Sequence, residues 1–517
     1  MHRIMTVRVV TAAEAAELDQ RAIADGTLSR ELMRAASAAT AQSVLQRFAA
    51  EAARGVAIYA GVGNNGGDAW RVGALLARSG LQVRVHSTGA ARSADAQVEQ
   101  REALSVVQSG EPDGSEGVVI DGLLGTGATG APRDAVEHAI RLMHERHHAA
   151  RVVAVDVPSG VNATTGECAG VHVRAHLTVT YGSLKRGLLR NRAAAGAILV
   201  ADIGLGRVAS GWSDLPTLVD ADFVRRAVPP IVADAHKGTR RRLLVVGGAA
   251  GMAGASILAA RGAMRSGIGM VKLCVAPQSL VAVQGGEPAA MAAPWPTDDA
   301  EAAALGAWAH AMLIGPGLGR SPEAGALIER MLGAFAGPVV LDADALNAFE
   351  GRREQLAALL RGRAAVITPH AVEFGRLMGV SPAAADEERF DAAQQAAREL
   401  GCTVLLKGVP TVIANSTERW VSASGTPALA TAGSGDVLGG MVATLLAQTG
   451  DSTTSAAAGA WAHGRAAEMA GAGWGVRGVT LDDILLALPT VWQLSDVPLS
   501  PPWLAQLQAV VEHSAVV

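Results

Sequence analysis

Two α/β domains in tandem are predicted by this sequence, each a parallel sheet covered by helices on both faces. Three observations carry that prediction. Short, uninterrupted apolar runs recur along the chain with helical stretches between most of them, the pattern of strands buried on both faces. The alternation lapses once, around residues 205–235, and then resumes. Finally, 60 glycines stand against only 17 aromatic residues (9 Trp, 2 Tyr, 6 Phe), which suits many tight strand-to-helix turns and cores built from Ala, Val and Leu. A chain of 517 residues has room for two large domains.

The first element is helical. Thr11 followed by Glu14 forms a capping-box pattern, and apolar positions then recur through Leu18, Ile23, Leu32 and Met33. Buried strands are predicted at 56–60, 81–85, 118–120, 152–155 and 177–181. The lapse places a boundary near residue 218, giving domains of 1–218 and 219–517. The second series of strands falls at 243–246, 270–275, 312–314, 339–341, 365–367 and 404–406, with helices at about 437–447 and 455–470. The two halves end their strands in different motifs, so they read as two different α/β domains. The stretch 243–260 has no charge and is flanked by Arg240, Arg241, Arg242 and Arg261. It also holds four glycines (247, 248, 251, 254), and its pattern changes midway, so it reads as strand, Gly-rich turn and helix rather than a membrane span.

Composition removes several function classes. Half the chain is apolar and 18% is charged, against the low hydrophobicity of disordered chains. A net charge of −4 offers no polycation for nucleic acid and no basic sheath for anionic lipid. The three cysteines, Cys168, Cys274 and Cys402, are too far apart for a disulfide framework or a C-x-x-C metal clip, so a reduced, cytoplasmic protein is expected. Lysine is scarce: only Lys185, Lys237, Lys272 and Lys407 occur among 44 basic residues. A surviving lysine marks a place where a compact ammonium is wanted.

In the first half, the strand VAIYA runs into GVGNNGGDAW. Gly61, Gly63 and Gly66 fit G-x-G-x-x-G, but the acidic residue expected some 20 positions on is missing, since His86 and Ser87 stand there. A hydride-transferring dinucleotide site is therefore disfavoured. Asn64, Asn65, Gly66, Gly67 and Asp68 instead present backbone N–H groups to an anion at a helix start, with amide oxygens for a cation or a hydroxyl. Two further strands end in Asp121, running into GLLGTGATGAP, and Asp156, running into VPSG. Strand-end loops of one parallel sheet converge on a crevice at its carboxyl edge.

In the second half the strongest signal is TAGSGDVLGG. Gly433, Ser434 and Gly435 expose amides at a helix N-terminus, where they stabilise charge on a transferring phosphoryl group. Asp436 is repelled by phosphate when ionised, so its task is to take a proton from a substrate hydroxyl. Supporting pieces are His236-Lys237-Gly238, the small-residue turn 247–256, Gly315-Pro316-Gly317-Leu318-Gly319, Asp342-Ala343-Asp344, TPHAVEF with His370 and Glu373 one turn apart, and Lys407-Gly408. Thr368 is expected as the N-cap of the helix in TPHAVEF, with Pro369 at its first position.

The first-half pieces LMRAA (32–36), GVGNNGGD (61–68), DGLLGTG (121–127), VDVPSGV (155–161) and YGSLKRGLL (181–189) resemble the NAD(P)H-hydrate epimerases. The second-half pieces HKG, GPGLG, DADALN, TPHAVEF, KG and AGSGD resemble, in the family's order, the ADP-dependent NAD(P)H-hydrate dehydratases. Together they resemble the bifunctional NAD(P)H-hydrate repair enzymes over nearly the whole chain. That resemblance implies an N-terminal Rossmann-like three-layer sandwich and a C-terminal ribokinase-like domain. It places the hydrated nucleotide on Asn64, Asn65, Gly66, Gly67, Asp68, Gly125, Thr126, Gly127, Ala128, Thr129, Gly130 and Ala131. It places K⁺ near Asn65, Asp121 and Ser159, with Asp156 as the acid–base group. In the second domain it puts Ala255, Gly317, His370 and the catalytic Asp436 on the hydrated nucleotide. Lys407, Gly408, Val409, Pro410, Thr411, Gly433, Ser434 and Gly435 fall on ADP, which brings Mg²⁺. The implied partners are NAD(P)HX, ADP and further copies of the same chain, with no nucleic acid and no membrane. The departures are Ala69 where a Gly usually follows the Asp, Arg34 and Ala36 in the LMRAA helix, and His370 in the Asn place of the ribokinase N-x-x-E pair, which argues against metal ligation by that pair. The alternatives are a ribokinase-type kinase of a small alcohol or vitamin precursor with an accessory nucleotide-binding domain, and a nucleotide sensor without turnover.

Overall fold

A computed structural model describes residues 6–494 and 499–510. The chain forms two compact units. One takes the chain up to Thr217 together with the C-terminal strand, and the other begins at Leu218.

The sheet of the first unit has eight strands in the order Trp503–Leu507, Ala197–Ala201, Leu177–Tyr181, Arg151–Val155, Val118–Gly122, Val56–Ala60, Val83–Ser87 and Gln108–Ser109. All pairings are parallel except that of Trp503–Leu507 with Ala197–Ala201. The five residues of Val56–Ala60 have no exposed surface. Burying each larger apolar side chain of such a strand contributes about 1.5–3 kcal/mol. Two strand-end loops meet at Gly61: a Cβ there would stand 1.9 Å from the Leu123 carbonyl oxygen, so only glycine lets the loops after Val56–Ala60 and Val118–Gly122 close on each other. A two-residue parallel ladder, Val9–Val10 against Leu184–Lys185, ties the beginning of the described chain to the segment after the Leu177–Tyr181 strand.

In the second unit a ten-stranded sheet runs from its edge at Thr217–Leu218 through Arg419–Ser422, Thr411–Ala414, Thr403–Leu406, Ala365–Ile367, Val339–Leu341, Ala311–Ile314, Arg242–Val246 and Met270–Val275 to Met291–Pro294. Its centre is parallel. The Ala253–Arg265 and Ser434–Thr449 helices pack on it through one apolar cluster that includes Ala259, Ala263, Leu438 and Val442. The uncharged stretch 243–260 resolves into strand, turn and helix as expected, and among the described residues no helix is long and apolar enough to cross a membrane.

Four expectations change. Thr11 caps its helix with a full capping box to Glu14, but the helix ends at Ala24, and Ser29–Arg47 is a separate helix. Gly26, at φ +99°, breaks the run. The 81–85 strand lies two residues later, at Val83–Ser87, because Gly80 turns the chain at φ +90°. Beyond Thr403–Leu406 the second sheet goes on in two antiparallel strands, Thr411–Ala414 and Arg419–Ser422, so it is not purely parallel. The last domain boundary also shifts: the described C-terminal strand pairs with Ala197–Ala201 in the first unit instead of completing the second. Its apolar positions Trp503 and Ala505 cover what would otherwise be an open sheet edge.

Candidate active sites

At the carboxyl edge of the first sheet, Asn65, Asp121 and Ser159 come together as expected. Asp121 is fully buried. Its carboxylate accepts from the Ser159 hydroxyl at 2.6 Å, from the Ser159 amide at 2.8 Å and from the Leu123 amide at 3.3 Å. Burial pushes its pKa up to about 6 against these hydrogen bonds. The Leu124 amide donates to Ser159 Oγ, and Asn65 Nδ2 donates to the Leu124 carbonyl, which turns Asn65 Oδ1 away to a free position. The donor set is all oxygen, with one carboxylate, which fits a hard cation. Gly125 lies against Asn65, within 3.3 Å of its Cβ as measured from an ideal Cβ. Gly127, Thr129, Gly130 and Ala131 are exposed, as is Asn64, while Gly66, Gly67 and Asp68 are buried in the first turns of the Asn64–Arg78 helix.

Asp156 follows the strand Arg151–Val155 with φ +64°, a left-handed conformation uncommon for Asp. Its Oδ1 accepts from the Thr180 hydroxyl at 2.9 Å and from Lys185 Nζ at 2.7 Å. Lys185 is buried and also donates to the carbonyls of Tyr181 and Ser183. Asp68 faces the Ser37 hydroxyl; burial, and then the Asp156 charge, hold its carboxyl well above the usual range. Sequence reasoning missed Thr180, Tyr181, Ser37 and the bridging role of Lys185. The scarcity of lysine was the available signal for the last.

In the second unit the segments after five strands supply the residues of the site. Gly317 sits against Ala255, whose Cβ would be 2.9 Å from a Cβ on the glycine. Asp344 accepts from the Gly319 amide at 2.8 Å. Asp342, at the end of Val339–Leu341, is buried and accepts from Lys407 Nζ at 2.9 Å, and Lys407 lies 3.8 Å from Glu373. Burial disfavours the Lys407 ammonium, but Asp342 and Glu373 outweigh it and hold its pKa above the ordinary value. Lys407, Gly408, Val409 and Pro410 form the turn between Thr403–Leu406 and Thr411–Ala414, with Val409 exposed.

The Ser434–Thr449 helix begins above these groups. Gly433 takes φ +89°, and the Ser434 amide donates to the Thr431 carbonyl. The geometry of a helix start leaves the Gly435 and Asp436 amides without intrahelical partners. A Cβ on Gly435 would lie 3.4 Å from Lys407 Nζ and 3.7 Å from Asp342 Oδ2, so the bare helix start stands directly beside the Lys407–Asp342 pair. The pKa of Asp436 is pushed up to about 7, first by burial and then by the Asp342 charge, with Lys407 opposing. Among the described residues its carboxylate has no hydrogen-bond donor, which suits a group that exchanges a proton.

One helix start differs from expectation. His370, not Thr368, caps the helix Ala371–Met378. The Pro369 carbonyl is taken by the Lys407 amide, the helix starts two residues later, and His370 and Glu373 make the capping box. Because His370 Nδ1 accepts from the Val372 and Glu373 amides, the ring proton belongs on Nε2 of the exposed edge. Glu373 is thereby committed to the cap. Among the described residues no group of three or more His, Cys, Asp and Glu is placed to hold a metal ion. Sequence reasoning also missed buried His463, whose pKa burial and Lys407 drive down to about 4.

Comparison with known proteins agrees with both halves. The profile described as NAD(P)H-hydrate dehydratase matches residues 243–490, and the profile described as YjeF-related protein N-terminus matches residues 29–187. The chain is 34% identical over 519 residues to the bifunctional NAD(P)H-hydrate repair enzyme of Moorella thermoacetica, covering 93% of this chain and 96% of that one. Against the enzyme of the same name from Escherichia coli the identity is 32%, covering 84% of each chain. A solved structure, the ADP/ATP-dependent NAD(P)H-hydrate dehydratase of Bacillus subtilis co-crystallised with ATP and Mg²⁺, is 30% identical with a TM-score of 0.48, covering 53% of this chain and 96% of that one. With both halves matched and relatives that run the length of the chain, this protein belongs to the bifunctional NAD(P)H-hydrate repair enzyme family.

Proposed function

We propose that Asp156 is the acid–base group of the epimerase unit and Asp436 the general base of the dehydratase unit. The two activities, epimerisation and dehydration of NAD(P)H hydrate, follow from the family. The first interconverts the R and S configurations at C6 of the hydrated nicotinamide ring. The second consumes the S form.

The observation that carries the residue assignment is the placement of Asp436. It stands at the head of an anion-cradling turn, with a carboxyl poised near neutrality and no donor occupying it. Asp436 takes the proton of the C6 hydroxyl as that oxygen attacks the terminal phosphoryl group of ADP. The amides of Gly435 and Asp436, with Lys407, meet the charge that develops on the phosphoryl oxygens. AMP departs. Phosphate is a far better leaving group than hydroxide, and its loss from C6 with a proton from C5 restores the dihydropyridine. The Lys407–Thr411 turn, Gly433 and Ser434 hold the adenine nucleotide; Ala255, Gly317 and the Nε2–H of His370 face the hydrated ring. Mg²⁺ bound with the nucleotide would neutralise part of the phosphate charge, and no protein residue is assigned as its ligand.

In the first unit the NNGGD turn, Asn64 to Asp68, and the loop Gly125 to Ala131 hold the hydrated nucleotide. Asn65 Oδ1, Asp121 and Ser159 Oγ would hold K⁺, which would balance the charge of the buried carboxylate. The three free cysteines fit a reducing, cytoplasmic setting, and assembly into a homo-oligomer belongs to the same reading.

The test is direct. Pre-hydrated NADH of mixed configuration is incubated with the protein, Mg²⁺ and ADP. Full recovery of dihydronicotinamide absorbance is expected, half in a fast phase from the S form and half at the rate of epimerisation. Recovery without ADP, or no recovery at all, overturns the reading.

A further inference from the structure

We propose that Lys185 is a positioning residue for epimerisation, which ties up Oδ1 of Asp156 and leaves Oδ2 as the one oxygen that moves protons. The inference rests on the assignment of Asp156 as the acid–base group and adds which atom acts and what holds it.

The geometry is closed on one side. Asp156 Oδ1 accepts from both Thr180 Oγ1 and Lys185 Nζ. Lys185 Nζ has three protons and three acceptors: Asp156 Oδ1 at 2.7 Å, the Tyr181 carbonyl at 3.0 Å and the Ser183 carbonyl at 3.4 Å. None is left over for a substrate. The ammonium is buried, with 4% of its side chain exposed, against 14% for Asp156, so the open edge of the pair belongs to the carboxylate. The backbone enforces the arrangement. Asp156 is turned into the left-handed region, its amide donates to the Val179 carbonyl, and Lys185 is pinned in a parallel ladder opposite Val10.

The charged and titratable groups around Asp156 are Asp19 from the Ala12–Ala24 helix, Asp68 from the Asn64–Arg78 helix, Tyr181 from the Leu177–Tyr181 strand and Lys185. Lys185 is the one cation of that set, so it is the charged donor that holds the carboxylate in place.

The experiment compares epimerisation by the full-length protein with that of Lys185→Met, Lys185→Ala and Asp156→Asn. Dehydration of pure S hydrate serves as the loading control. Lys185→Met is expected to lower kcat about 10–10²-fold with KM nearly unchanged, the size of effect that follows from misplacing a reacting group. In Lys185→Ala, methylammonium should restore part of kcat saturably and tetramethylammonium should not. The inference is overturned if Lys185→Met keeps the wild-type kcat, if only KM rises, or if folded Lys185→Ala ignores added amine. Asp156→Asn separates the two levels. Wild-type epimerisation by that variant sinks the acid–base assignment itself, whereas an inactive Asp156→Asn beside a normal Lys185→Met sinks only the role of the lysine.

Discussion

The two units place an aspartate and a lysine at the carboxyl edge of a parallel sheet and wire them in opposite ways. In the first, Lys185 reaches Asp156 itself, at 2.7 Å. In the second, Lys407 is taken by a different carboxylate, Asp342, and Asp436 is left beside that negative charge with its pKa pushed up to about 7. One site keeps a carboxylate anchored by donors. The other keeps one near its titration point, at a helix start and beside an ammonium that pairs elsewhere. The difference teaches that residue type at a strand end does not fix its chemistry; the partner of the nearest lysine does.

That contrast can be broken by single substitutions. The largest effect is expected from Asp156→Ala, which should reduce epimerisation to the uncatalysed rate while dehydration of S hydrate continues; parallel loss of both would indicate misfolding. Asp436→Asn should lower dehydration by about 10²–10⁴-fold with epimerisation intact, read by assaying both steps on one preparation. Dehydration by the wild type should fall about tenfold per pH unit below about 7, because the raised carboxyl of Asp436 must lose its proton to act as base. A flat profile between pH 5 and 7 would remove Asp436 from that role. Gly435→Ala puts a methyl group between the helix start and Lys407, and should raise the KM for ADP about tenfold while leaving epimerisation kinetics as they were.

The smallest effect concerns stability. The Asp436 carboxyl is raised on folding, so its ionisation disfavours the native state; that penalty is absent below the unfolded pKa of roughly 4 and grows until pH passes the folded value. Asp436→Asn should therefore raise the Tm of its unit by a few degrees at pH 8 and by nothing near pH 4, measured by calorimetry. An equal gain at both values would mean that charge is not the cause.

How much was legible beforehand follows the same physics. Apolar runs such as VAIYA and the Gly-rich turns after them announce a doubly covered parallel sheet, because burial on both faces leaves no room for alternation. The antiparallel strands Thr411–Ala414 and Arg419–Ser422 carry Thr, Arg, Trp and Ser, and their half-polar pattern hid them. The C-terminal strand was illegible for another reason. Its partner, Ala197–Ala201, lies some 300 residues away, and no local period encodes so distant a pairing. At the sites, strand-end aspartates and the NNGGD and GSGD turns could be read from spacing. The Asp156–Lys185 pair could not, since it depends on a left-handed residue and on a ladder with Val10. The shift of the helix cap from Thr368 to His370 likewise came from a carbonyl claimed by a distant amide, that of Lys407.

The return of the chain to its first sheet has a consequence for biosynthesis. Trp503–Leu507 leaves the ribosome some 300 residues after Ala197–Ala201, the strand it pairs with, and every other strand of that sheet lies before residue 202. The flank at Ala197–Ala201 therefore gains its partner only after the whole second unit has been translated.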